Sequence, residues 1–283
     1  MSAVKLASEH TIRIMLGHGA EPKLSDCEGW TALHWVGFTG SFPAAKILLR
    51  AGAEIDAPNT ERTTPLLLAA KHINTDVAQA LLEHGADTEC ADHEGRTPLL
   101  LAAKNRANTP VQILLNTGTE PHHRDTSGTS VDVINESGST PLFSAVLGCD
   151  TRITALLLRF GADLQHPQYT TTPLMLAIER NSELALHDLL EADADPHHPA
   201  PVRPTFHALA HQRLKLLKHR FAHGADLEAR NEQHETLLNA AGNRHAPYIE
   251  KLIAIAADRH ARDDEDRDVV AYLWAHQNAT PLP

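Results

Sequence analysis

Apolar positions along the chain fall into two alternating kinds of run. The first opens on threonine and proline and continues almost wholly apolar. Thr64-Pro65-Leu66-Leu67-Leu68-Ala69-Ala70 is followed, 33 residues later, by Thr97-Pro98-Leu99-Leu100-Leu101-Ala102-Ala103. The second is amphipathic, with apolar residues at helical spacing, and ends in Leu-Leu shortly before a glycine. Leu81-Leu82-Glu83-His84-Gly85-Ala86-Asp87 stands 33 residues after Leu48-Leu49-Arg50-Ala51-Gly52-Ala53-Glu54. Both runs predict helices. A threonine oxygen can accept from the free amides of the first turn, where proline is also tolerated. Paired alanines let neighbouring helices approach closely. Glycine ends the second run because the position after a helix favours left-handed backbone. Polar stretches such as Asp92-His93-Glu94-Gly95 read as turns between units.

The two phrases interleave along the chain. The glycine position falls at Gly19, Gly52, Gly85, Gly118, Gly161, Asp193, Gly224 and Ala256, in steps of 33, 33, 33, 43, 32, 31 and 32. The threonine position falls at Thr31, Thr64, Thr97, Thr140, Thr172, Pro204 or Thr205, and Thr236. A fixed period of this size marks a repeat architecture. The units resemble the ankyrin repeat, with its Thr-Pro-Leu-His-x-Ala phrase, two antiparallel helices and a hairpin turn. The resemblance implies an all-α solenoid of helix-turn-helix units with hairpin loops. About seven full repeats run from Thr31 to about Asp258 with two capping half-repeats. The whole chain, 1–283, reads as one array. Residues 1–20 form an N-terminal half-repeat, 21–258 the repeats and 259–283 a C-terminal cap. In the cap, the helical run at 267–274 follows Asp263-Asp264-Glu265-Asp266, acidic residues that favour a helix start.

Departures from the period are few. The step of 43 contains two turn phrases ten residues apart, Asp125-Thr126-Ser127-Gly128 and Asn135-Glu136-Ser137-Gly138. They predict a long inserted hairpin at 122–139, with 126–135 either a rim loop or a partner-binding finger. Arg62 and His234 replace the tip glycine, and Asp193 and Ala256 the helix-ending glycine. Irregular loops are expected around 193–205, where Pro196, Pro199, Pro201 and Pro204 cluster.

Composition narrows the function. The chain has 283 residues, a length that suggests one or two globular domains until the period is seen. Aromatic residues make up only 4%, so the core must be Ala, Leu, Ile and Val. Cys27, Cys90 and Cys149 form no CxxC pair and read as small buried hydrophobes in a reducing compartment. No signal peptide stands near the start, and no run reaches the ~18 apolar residues of a membrane span. An intracellular location, cytoplasmic or nuclear, is therefore expected. The net charge of −11 argues against direct nucleic-acid binding and against an anionic membrane surface. Walker, GxGxxG, GxSxG, HExxH and zinc-finger patterns are absent. The expectation is a monomer with no cofactor, no metal and no catalysis.

In the ankyrin family, partners meet the hairpin tips and the inner face of each first helix. Carried over unit by unit, the resemblance points to Trp30, Trp35 and Phe38, then Glu61, Leu68, Lys71 and His72, then His93, Glu94, Arg96, Leu101, Lys104 and Asn105. Three aromatic residues in nine stand out in a chain so poor in rings, and Trp and Arg are enriched at binding hot spots. The implied function is a non-catalytic protein-protein interaction adaptor. The alternatives are a small-molecule-binding or atypical enzymatic repeat protein and a transcription coregulator. A second basic stretch, Arg213, Lys215, Lys218 and Arg220 among His211, His219 and His223, reads as the solvated face of an amphipathic helix.

The 20 histidines do not form a metal site by spacing. His123, His166 and His198 recur at one repeat position, but layers roughly 8–10 Å apart cannot share an ion bound at about 2.0–2.1 Å. His18, His84 and His223 precede the helix-ending glycine, and His34 and His207 take the family's hydrogen-bonding histidine position. Protonating every histidine would move the net charge from −11 to +9. With an ordinary histidine pKa of about 6.5, solubility should pass through a minimum near pH ~6. A pH series of saturating concentration checks this; a flat profile from about pH 7.5 to 5.5 contradicts it.

Overall fold

The computed structural model describes residues 9–117, 130–165 and 171–194. The basic stretch at 211–223, the His123, His166 and His198 row, the loops beyond Ala194 and the C-terminal cap lie outside the described residues. Contacts divide the chain into two compact units, Met1–Asp163 and Leu164–Pro283. The described part of the first holds α1 (Glu9–Gly17), α2 (Ala32–Thr39), α3 (Phe42–Arg50), α4 (Pro65–Lys71), α5 (Thr75–Glu83), α6 (Pro98–Lys104), α7 (Asn108–Thr117), α8 (Pro141–Leu147) and α9 (Thr151–Arg159). In the second, α10 (Pro173–Glu179) packs against α11 (Glu183–Glu191). Extended pairing among the described residues is limited to one isolated bridge, Ser25 with Thr31.

Capping begins the five described first helices as expected. Thr31, Thr64, Thr97, Thr140 and Thr172 are all N-caps with extended backbone, and each side chain accepts the amide three residues on. Proline follows the cap in α4, α6, α8 and α10. The continuous apolar run of the first helices has a packing reason. The helix α4 touches α2 on one side, α6 on the other and α5 behind, so every residue from Pro65 to Ala70 is buried. Second helices form their own layer, α1, α3, α5, α7 and α9 in contact order, and stay amphipathic because one face meets water. Among the described residues the apolar core is aliphatic, with Leu33, Leu66, Leu99, Leu114, Ile153 and Leu157 fully enclosed and His34 buried among them.

Spacing between α2 and α4 leaves no room for a side chain at Gly37: an added Cβ would collide with the Pro65 carbonyl. The same place in the next units is Ala70 and Ala103.

Left-handed backbone occurs where the helix-ending glycines predict it, and Asp193 adopts it too at φ 62°. A second left-handed series lies at the junction of first and second helices, in Gly40, Ile73, Arg106, Cys149 and Asn181. Only the first has a glycine, so sequence reading passes over it. The cysteines depart from expectation as well. Cys27 and Cys149 are exposed and Cys90 is half-buried, because they stand at a hairpin tip, a helix junction and a loop rather than on helix faces turned inward.

Ile73 carries a β-branched side chain at φ 61° while half exposed. Ile73→Gly should raise stability by about 0.5–1 kcal/mol, the relief of left-handed strain exceeding the freedom glycine adds to the unfolded chain. Gly37→Val should lower it by ~1–3 kcal/mol through overpacking. Urea unfolding midpoints measure both.

Candidate functional site

Four hairpin tips are built alike from one polar residue each: Asp26, Asn59, Asp92 and Asn135. The Oδ1 of Asp26 accepts from Glu28 N and Trp30 N at 3.0 and 2.9 Å. That of Asn59 accepts from Glu61 N and Thr63 N at 2.9 and 2.8 Å. Asp92 does the same for Glu94 N and Arg96 N, both 3.0 Å, and Asn135 for Ser139 N at 2.7 Å. A short side chain that satisfies its own turn is what these residue types do best. Successive tips are then tied together. Thr60 N donates to Glu28 O at 3.0 Å, His93 N to Glu61 O at 3.3 Å and Glu136 N to Glu94 O at 3.0 Å.

This ladder places the extra ten residues. Asn135 takes the regular tip position. Ser130 N meets Glu89 Oε1 at 3.0 Å, as Asp87 N meets Asp56 Oδ1 at 3.1 Å one unit earlier. The regular path has therefore resumed by Ser130, and the added length falls between Thr117 and Ser130. Most of that span, 118–129, lies outside the described residues. The expected finger at 126–135 thus overlaps the ordinary tip over 130–135.

Between the tips and the first helices runs an open groove of about 440 Å³. Its walls bring together ten expected residues from three units: Trp30, Phe38, Glu61, Leu68, Lys71, His72, His93, Glu94, Arg96 and Leu101. Leu68 and Leu101 are buried at 4% and 5% exposure and form the floor, while Phe38 stands 43% exposed. Trp35, Lys104 and Asn105 are not part of the groove. Trp35 lies behind Trp30, with ring centroids 4.6 Å apart. The Asn105 side-chain amide donates to Lys71 O at 2.9 Å, as Asn74 does to Gly37 O at 2.8 Å, so Asn105 joins one unit to the next. Asn59, Thr63 and Asp92 also line the groove. Sequence reading assigns Asp92 to the turn alone, although an arginine four residues on is a legible partner.

The aromatic residues form one cluster. Phe38 meets Trp30 and Trp35 edge-on at 6.2 and 6.0 Å and His72 at 4.5 Å. Such edge-to-face packing is favourable beyond the area it buries. Burial, with Lys71 adding to it, holds the His72 pKa below its ordinary value. Arg96 is clamped: Nε and Nη2 each lie 2.7 Å from Asp92 Oδ2, and Nη1 lies 2.8 Å from Glu94. Its guanidinium is thereby fixed in the groove wall.

His34 joins two units from beneath this cluster. Thr31 N donates to its Nδ1 at 3.0 Å, and its Nε2 proton goes to Thr63 O at 2.9 Å. The ring is neutral in that arrangement, and burial lowers its pKa despite the Thr63 carbonyl and Asp26. Cys90 offers no ready thiolate, since burial and the nearby Asp87 push its pKa up to about 12. No group of three or more metal-type ligands is assembled among the described residues, and no helix there is long and apolar enough to cross a membrane.

The chain belongs to the ankyrin-repeat family: the family described as ankyrin repeats in three copies matches residues 37–125 and 126–200. The fold is similar to the ankyrin repeat domain of Bcl-3, described as a unique member of the IkappaB protein family. That likeness has a TM-score of 0.69 at 27% identity and covers 80% of this chain and 99% of that one. The human ASB11 ankyrin repeat domain gives 0.64 at 23% identity, covering 80% of this chain and 98% of that one. In sequence, a putative palmitoyltransferase, ZDHHC13, of Danio rerio is 39% identical over 59 residues, 21% of this chain and 9% of that protein. Neurogenic locus notch homolog protein 1 of Danio rerio is 36% identical over 66 residues, 23% of this chain and 3% of that protein. The chain thus spans less than a tenth of these curated relatives. Ankyrin repeats are in general protein-interaction modules.

The histidine bridge makes stability depend on pH. The folded-state pKa of His34 lies below its unfolded value, so between the two the unfolded chain binds more protons. The contribution is complete above about pH 6.5 and is lost as pH falls toward the folded pKa. His34→Leu places here the residue found at Leu67 and Leu100. Thermal melts from about pH 7.5 to 5 should show a shallower loss of melting temperature in the variant, with His72 leaving a remainder. An equal slope in both proteins contradicts the assignment.

Proposed function

We propose that the chain is a non-catalytic interaction adaptor, acting as a monomer inside the cell, whose protein partner binds in the groove between the tips and the first helices. The carrying observation is the exposed ring of Phe38, held by Trp30 and His72 at the mouth of a groove whose tips are hydrogen-bonded one to the next. A large ring fixed in contact with water supplies binding area at little further cost in side-chain freedom. The hydrogen-bonded tips support the same reading, because a surface ordered in advance loses less entropy on association. An open groove suits a polypeptide better than a small molecule, whose sites are commonly enclosed.

The test is capture of partners from cell lysate by the tagged chain, quantified by mass spectrometry against Phe38→Ala and Glu61→Lys. A partner held by the parent protein should fall roughly tenfold or more with either variant while the melting temperature stays put. Recovery of the same partners in the same amounts would overturn the groove as the binding site. Trp30→Ala and Trp35→Ala separate packing from binding: a large fall in melting temperature identifies the ring as scaffold.

A further inference from the structure

The groove has two unlike walls. On the tip wall stand Glu61 and Glu94, and Glu28 holds the same place in the turn before them; all three are exposed. Their backbone carbonyls are the acceptors of the tip ladder, so the three residues are held in register by main-chain bonds. Their side chains are free of that task, though the Glu94 carboxylate is shared with Arg96. At the fourth tip the same place is Ser137, and the exposed Glu136 stands one residue before it. On the helix wall stand Phe38 and, at the same position of the next unit, Lys71. The other cation in the groove, Arg96, is already neutralised by Asp92 and Glu94. The chain as a whole carries −11.

We propose that the groove takes an extended, arginine-bearing segment of a partner protein, with one guanidinium against Phe38 and Trp30 and further cations facing the glutamates of the tips. This rests on the reading of the groove as the partner site. Aromatic rings attract a guanidinium through their negative faces, and exposed carboxylates pair with it. Lys71 opposes a second cation on the helix wall and so turns the basic side of the segment toward the tips. Repeat layers stand roughly 8–10 Å apart by helix packing. A polyproline-type strand returns the same face every three residues, or about 9 Å. A segment with cations at every third position therefore runs in step with Glu28, Glu61 and Glu94, the last already sharing its carboxylate with Arg96. The long-range field of an acidic chain also speeds the approach of such a segment.

The 283-residue chain would be titrated into fluorescently labelled peptides that repeat Ala-Pro-Arg, Ala-Pro-Ala or Ala-Pro-Glu, with binding read by anisotropy. The arginine peptide should bind and the other two should not. Its affinity should fall roughly tenfold or more with Glu61→Lys, similarly with Phe38→Ala, and on raising salt from about 0.05 to 0.5 M. Circular-dichroism melts confirm that each variant is folded. Glu61 is exposed, so Glu61→Lys keeps the test valid if Phe38→Ala loosens the cluster. Equal binding of all three peptides, or an unchanged affinity in Glu61→Lys, overturns the basic occupant. If the Ala-Pro-Ala or Ala-Pro-Glu peptide binds instead and Phe38→Ala still weakens it, the groove stands as a binding site and only the charge assignment falls. Absence of binding by the arginine peptide overturns the proposal outright.

Discussion

The first helices α4 and α6 are apolar at every position from Pro65 to Ala70 and from Pro98 to Ala103, and contact with the neighbouring helices removes these runs from water. A helix with no polar face cannot stand on a surface. Pro65 to Ala70 is the clearest case, buried at every position between α2, α6 and α5. Stability in such a stack comes from neighbouring interfaces rather than from one central core. The close approach demands small residues at the contact, which explains Gly37 beneath the Pro65 carbonyl and alanine at the same place in the next two units.

Close stacking also fixes where the tips lie. With neighbouring first helices in contact, the turns that precede them come within hydrogen-bonding reach. Main-chain bonds from Thr60, His93 and Glu136 then join one tip to the next. The side chains of Asp26, Asn59, Asp92 and Asn135 finish the turns internally. Such self-sufficient tips leave the adjoining residues available for a partner. His34 adds a bond from beneath, from the start of α2 to the Thr63 carbonyl of the following unit. The groove is therefore a by-product of scaffold geometry, furnished with rings and charges at positions the scaffold does not need.

Ten of the thirteen residues expected to contact a partner line that groove, because repeat position is a strong guide to direction in a periodic fold. The three that do not line it differ in cause. Trp35 packs against Trp30 with the rings tilted, Asn105 binds the Lys71 carbonyl, and Lys104 follows the same helix edge as Lys71 one unit beyond the groove. The exposure of Cys27 and Cys149 and the left-handed backbone at Ile73 and Arg106 are consequences of loop and junction geometry. Residue type carries no sign of either.

Period, caps and helix ends were determined by the amino-acid sequence alone, since each rests on contacts within a few residues: threonine with the amide three on, proline in the first turn, glycine after the last. The depth of the groove, the pairing of Arg96 with Asp92 and Glu94, and the choice of Asn135 over Asp125 as the ladder's tip were decided only by the tertiary structure. Those depend on which unit lies against which and in what register. The two turn phrases near 125 and 135 are equally good locally, and the Glu94 carbonyl waiting in the previous unit selects between them.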